Sequence, residues 1–197
     1  MYKSSFTMIE LIIVIITTGI LAITIIPRLE RAPLVEATEQ VLRHIRYTQQ
    51  LALVNDIYNT TEAKWYKAMW RISFRSNNCY VVSSNTDLDM NYDRDESTTD
   101  PLTKTLLYSN TDCILEPGDD SKMLLFEKYG IDRIEFSRTC GNNRFIAFDY
   151  MGRPHKTLTS ANDFIISECL ITLHAGLRKA VISILPETGY VKVLSFE

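Results

Sequence analysis

Ser5-Phe6-Thr7-Met8-Ile9-Glu10-Leu11 opens an apolar run that continues to Ile26, and the reading of this stretch decides the fold. Between Phe6 and Ile26 there is no basic residue, and besides Glu10 the only polar side chains are Thr7, Thr17, Thr18 and Thr24. About 20 residues at a rise of about 1.5 Å cover the hydrocarbon core of a bilayer, whereas a secretory signal core is usually about 7 to 15 residues. The run is therefore long enough to cross a membrane as a helix over 6–27. One carboxylate stands inside it. An ionised acid costs about 2.5 to 3.5 kcal/mol at the centre of a membrane helix. Glu10 lies near the end, where the cost is smaller, and it still wants a cationic partner. The plainer alternatives are a snorkelling interfacial acid and an ordinary single-pass anchor.

The order of residues says more. A short leader with one lysine, Met1 to Ser5, followed by Phe6-Thr7-Met8-Ile9-Glu10-Leu11, resembles the prepilin processing site of type IV pilins and type II secretion pseudopilins. The resemblance implies cleavage between Ser5 and Phe6 by a dedicated membrane peptidase, and methylation of the new amino group on Phe6. Where that family usually carries Gly before the cut, this chain carries the small Ser5. Gly19 and Pro27 also stand where pilins commonly have helix-weakening residues. For Glu10 the resemblance implies a role in assembly, because the matching glutamate pairs with the amine of a neighbouring subunit. In hydrocarbon such a pair is strongly favoured over two unpaired charges, so it can select axial register.

The remainder reads as one extracytoplasmic domain. With 197 residues, 46% of them hydrophobic, and a net charge of −3, the chain has room for a single core beyond its N-terminal run. Loss of Lys3 with the leader would take the charge from −3 to −4. That mild acidity argues against nucleic-acid binding by bulk charge, though not against a local basic patch. Cys79, Cys113, Cys140 and Cys169 all follow the apolar run, and none forms a CxxC pair. Two disulfides in an oxidising compartment is the leading reading, with buried free thiols as the alternative. Of the three connectivities, Cys79 with Cys113 and Cys140 with Cys169 closes local loops. Lys3 precedes the run while Arg28 and Arg31 follow it, so the positive-inside count is nearly balanced. The cysteines decide the orientation and place the domain outside the cytoplasm, and the resemblance implies an anchor in the inner membrane with the domain in the periplasm.

Past Pro27 and Pro33, each tolerable as a kink or a restarted first turn, helical periodicity resumes. Leu34, Thr38, Val41, Ile45, Thr48 and Ala52 alternate spacings of four and three and draw one moderately apolar stripe. The spacing predicts an amphipathic half over 28–55, packed on its own sheet toward the C-terminal end, with Glu36, Glu39, Arg43 and Arg46 on other faces. From 56 to 197 the pattern turns to strands. Met69 to Arg75, Cys79 to Ser84, Ile131 to Ser137, Arg144 to Tyr150, Glu168 to His174, Arg178 to Leu185 and Tyr190 to Phe196 are short and rich in Ile, Val, Phe and Tyr. Ala175-Gly176 and Pro186-Glu187-Thr188-Gly189 read as hairpin turns. The expectation is an α+β fold, a long N-terminal helix laid on an antiparallel sheet.

Further stretches extend the resemblance. Trp65-Tyr66-Lys67-Ala68-Met69-Trp70-Arg71-Ile72 is similar to the paired-tryptophan approach to the first strand in H-type minor pseudopilins and FimT-like pilins. Phe148-Asp149-Tyr150-Met151-Gly152-Arg153-Pro154 and Ile182 to Val191 resemble later strand and turn signatures of that group, although Tyr190 stands where a basic residue is usual. Simple core packing is the plainer account of Trp65 and Trp70.

The least pilin-like stretch is a polar insertion over about 85–120. Within it Asp89, Asn91, Asp93, Ser97 and Asp100 stand at positions 1, 3, 5, 9 and 12 of a calcium-type loop. Arg94 takes the place of the Gly that such a loop needs, and position 12 is Asp instead of Glu. A solvated acidic loop is the plainer account. An enzyme finds little support, since the chain has no Gly-x-Ser-x-Gly turn, phosphate-binding Gly-rich loop or reactive cysteine motif. His44, His155 and His174 lack metal-ligand spacing and read as ordinary surface or hairpin residues.

Two functions from different classes remain. One is a non-enzymatic minor subunit of a type II secretion or type IV pilus-like filament. Its implied partners are other pilin subunits, the prepilin peptidase and an inner-membrane assembly platform. The other is a FimT-like DNA-binding pilin acting in natural transformation. Arg153, His155, Lys156, Arg178 and Lys179 would form its patch, and each phosphate contact would add salt dependence.

Overall fold

The computed structural model describes residues 7–55 and 59–197; the side chains of 22–32 lie outside the description. Helix α1 spans Met8–Val54. The chain divides after Pro33 into two units, and each is taken by itself. In the first, Thr7 caps the helix. Its hydroxyl accepts from the Glu10 amide at 3.4 Å while the Glu10 carboxylate accepts from the Thr7 amide at 2.8 Å. This reciprocal pair is a capping box, which satisfies two of the donors that a helix start leaves open. Farther on, the Thr17 and Thr18 hydroxyls bond back to the carbonyls of Ile13 and Val14, so neither needs water. Every described apolar side chain from Met8 to Leu21 is exposed. Among the described residues no helix is long and apolar enough to cross a membrane; the run expected over 6–27 extends beyond the described side chains at both ends.

The second unit, 34–197, is built around the rest of α1. Leu34, Thr38, Val41, Ile45, Thr48 and Ala52 are all buried, whereas Glu36, Glu39, Arg43 and Arg46 are exposed, which is the division that the spacing predicts. Two stripe positions are threonines, and they fit because their hydroxyls bond the Leu34 and His44 carbonyls one turn back.

Strands β1 (Trp70–Phe74), β2 (Tyr80–Ser83), β3 (Arg133–Phe136), β4 (Phe145–Phe148), β6 (Cys169–Ala175), β7 (Arg178–Ile184) and β8 (Val191–Phe196) fall inside the seven expected segments, to within a residue. The two-residue β5 (Pro154–His155), the short helix α2 (Leu125–Tyr129) and three single 3-10 turns, Trp65–Lys67, Ser121–Met123 and Arg138–Cys140, complete the described elements. The class is α+β, but the strands form two antiparallel sheets instead of one, in the orders β2-β1-β4-β5 and β3-β6-β7-β8. The split arises after β3, where Gly141, in a backbone conformation that disfavours a side chain, and the Cys140–Cys169 bond turn the chain away. β3 then pairs with β6, and β4 with β1. Arg144 stitches the seam, donating to the Ile134 and Arg75 carbonyls. Residues of α1 and of both sheets share one buried cluster.

The insertion is ordered onto the first sheet. Val82 donates to Leu107 and accepts from Thr98, so the segment covers the free edge of β2. Arg71, only 1% exposed, donates to the carbonyls of Met90 and Asn91, and the Tyr92 ring lies 4.1 Å from both the Arg71 and Arg75 guanidinium groups. A second disulfide, Cys79–Cys113, ties the insertion to β2's leading end, so both disulfides have the local-loop pairing.

Candidate functional site

Ser5 and Phe6 lie outside the described residues, so the geometry of the N-terminal site begins at Thr7. The Glu10 carboxylate receives the Thr7 amide and hydroxyl on the same oxygen, Oε2, each at 2.8 Å. No bond to Oε1 is found among the described residues. One carboxylate oxygen is thus held in the first helical turn, beside exposed Met8, Ile9, Leu11, Ile13 and Val14. The signal for this arrangement was in the sequence, since Thr-x-x-Glu before an apolar run is a capping-box signature.

The five basic candidates divide between the two sheets. Arg153, His155 and Lys156 belong to β5 and its flanks in the first sheet, while Arg178 and Lys179 open β7 in the second. Arg153 directs Nε and Nη2 onto the Asp149 carboxylate, both at 2.8 Å, and lies over the Phe164 ring. His155 is 0% exposed and sits on the same carboxylate, so it has no surface to offer a phosphate. Lys179 pairs with Glu197 at 3.0 Å. Burial and internal carboxylates thus take up Arg153 and His155.

The five calcium-type candidates have different surroundings. Asp100, 4% exposed, points inward, accepting from the Leu102 and Thr103 amides and standing 3.5 Å from His44. The Ser97 hydroxyl donates to the Asp93 carbonyl, and the Asn91 carbonyl already receives the Arg71 guanidinium, a cation that would repel another. Asp89 and Asp93 do gather, but with Asp87 instead of the other predicted ligands. Burial and the neighbouring carboxylates of Asp89, Asp87 and Asp95 raise Asp93 above its ordinary range.

Sequence reasoning missed the polar network on α1. His44 is 1% exposed, not a surface residue, and lies beside a cavity of about 440 Å³ bordered by Arg43, Tyr47 and Pro101. Arg43 donates to Oε1 of Gln40 at 2.7 Å, which turns the Gln40 amide nitrogen toward Nε2 of His44 at 3.0 Å. Nδ1 of the same ring lies 2.8 Å from the Tyr80 hydroxyl. Burial, outweighing the opposing Asp100 contacts, pushes His44 down to about 4. Burial alone would raise Asp100, yet the Leu102 and Thr103 amides and His44 hold it below the usual carboxylate range. The network bolts the insertion to the helix. His174, on β6, is half-buried and bonded to Glu135 at 3.0 Å.

Comparison of the chain with family models, with curated proteins and with solved structures finds no match.

Proposed function

We propose that this chain is a non-enzymatic minor subunit of a type II secretion or type IV pilus-like filament, cut before Phe6 and assembled through α1. The observation that carries the reading is the N-terminal turn of α1. An apolar helical surface, exposed among the described residues, displays one acid whose Oε2 is fixed by Thr7. Such a surface gains by being covered, and an acid within it gains by meeting a positive charge while being covered. Cleavage before Phe6 would create that charge on each subunit, one turn from Glu10, so neighbours offset along a filament axis could exchange amine and carboxylate. The α+β domain fits the same reading. It keeps the second half of the helix buried under two disulfide-braced sheets, as a pilin-like globular head on a shaft would, in the periplasm and tethered to the inner membrane.

Glu10→Ala tests this in cells that assemble the filament. The variant is expected to reach the membrane and to be processed, with its recovery in sheared or cross-linked filament falling about tenfold or more, the scale of one lost charge-assisted contact. Normal recovery would overturn the pairing. Mass spectrometry of the mature protein is expected to find a methylated Phe6 at the N-terminus. An intact Met1 to Ser5 leader would reduce α1 to an ordinary anchor.

A further inference from the structure

Beside the first sheet a cavity of about 310 Å³ opens between the Trp65–Lys67 turn, the turn after β4 and the segment after β5. That volume stands at the lower end of small-molecule sites, about 300 to 1,000 Å³. Trp65 and Tyr150 form one corner, with ring centroids 5.8 Å apart and planes tilted by 59°. Tyr66 adds a third ring, and Met69 lines the cavity from β1's leading end. The aromatic walls are not absorbed into the core, since Trp65 and Tyr66 are half-buried and Tyr150 is 51% exposed.

Its polar groups are fixed from behind. The Asp149 carboxylate accepts from the amides of Met151 and Arg153, from Nε and Nη2 of Arg153, and from Nε2 of His155. With its acceptor capacity taken up, Asp149 positions the Arg153 fork and cancels its charge. Arg153 in turn lies 4.3 Å from the Phe164 ring centre. The exposed Asn162 completes the rim with an amide that both donates and accepts.

This constellation discriminates among ligand classes. A cation would meet Arg153 already seated on one of the aromatic rings. An anion would meet a guanidinium whose charge is spent on Asp149. What remains is a neutral molecule with a flat apolar face and a rim of groups that donate and accept hydrogen bonds. A pyranose ring has that form, because its axial C–H bonds present a weakly positive face to the negative face of an aromatic ring, and its hydroxyls lie around the edge. We infer that the Trp65–Tyr150 cleft is a saccharide-binding subsite, stacking one pyranose unit of a glycan against Trp65 and Tyr150 and reading its hydroxyls with Arg153 and Asn162. The inference stands apart from the filament reading, since it needs only the folded domain.

The test is calorimetric titration of the full chain, held in a polyoxyethylene detergent that carries no sugar headgroup. The probes are cellotetraose, chitotetraose and maltotetraose. At least one is expected to give saturable heat at millimolar concentration. Trp65→Ala and Tyr150→Ala should each weaken it about tenfold or more, and Asn162→Ala should weaken it measurably. If Trp65→Ala fails to fold, the half-exposed Tyr150 and the rim residue Asn162 still carry the test. Absence of saturable heat with all three saccharides would overturn the assignment, as would heat that is indifferent to the Tyr150 and Asn162 variants. Tetramethylammonium, inorganic phosphate and an oligothymidylate serve as competitors. Saturable binding of any of these at the cleft, without saccharide binding, would also overturn it.

Discussion

Mild acid should loosen the domain through one buried imidazole. His44 is pushed from an ordinary 6.5 to about 4 because burial disfavours its charged form. With the folded value depressed, the unfolded chain takes up a proton that the folded chain refuses throughout the interval between them. The stability this group allows is therefore intact above pH 6.5 and declines as the pH falls toward 4. Between about pH 7.5 and about pH 5 the linkage relation gives a loss of about 2 kcal/mol. Asp100 works in a different interval. Its carboxyl is lowered from 3.8, so its contribution is present above that value and is lost only at lower pH. The assay is urea unfolding at the two pH values, with disulfides intact and in detergent, for the native chain and for His44→Gln. A glutamine can bond but cannot charge, so the pH-dependent loss is expected to shrink by about 2 kcal/mol in the variant. Equal losses in both proteins would refute the reasoning, as would a native chain whose midpoint does not move.

Three other perturbations probe the frame. Cys79→Ser with Cys113→Ser opens a loop of sequence separation 34, and the chain-entropy estimate for that length is about 3 to 4 kcal/mol; a denaturation midpoint unchanged by the double substitution would count against it. Gly189→Ala places a Cβ 2.5 Å from the Gln49 amide and 2.6 Å from the Gly152 carbonyl, at a positive φ of 63°. A loss of about 2 to 4 kcal/mol is expected, and an unchanged melting temperature would contradict the contact. Asp149→Asn leaves Arg153 without its counter-charge, at an expected cost of about 3 kcal/mol by thermal melting, with native stability as the contrary result.

The parts of the fold that were legible are those set by local period. The α1 stripe needed only spacings of three and four, and each long strand needed only its run of branched and aromatic residues. Which strand neighbours which was not legible, because β1–β4 and β3–β6 pairing is fixed by a turn at Gly141 and a disulfide far along the chain. β5 escaped notice because a proline and a histidine carry no strand signal. At the candidate sites the loss was systematic. Asp100, His155 and Arg153 were judged by the charge they carry, whereas their partners His44 and Asp149 decide whether that charge reaches solvent. Glu10 stood out because nothing else polar near it is ionisable.

The bonds from α1 to the end of the chain carry a consequence for biosynthesis. Gln49 donates to Gly152 and Thr188, 103 and 139 residues downstream, and Arg46 donates to Val191, 145 residues downstream. Ribosomal synthesis delivers the first of these partners long before the last. Until the closing hairpin has emerged, the stripe from Leu34 to Ala52 has no completed surface to lie on, and such distant closures are slow. The nascent chain must therefore wait with a greasy helix half uncovered. Removal of β8 alone, a small truncation by length, would leave that wait without an end.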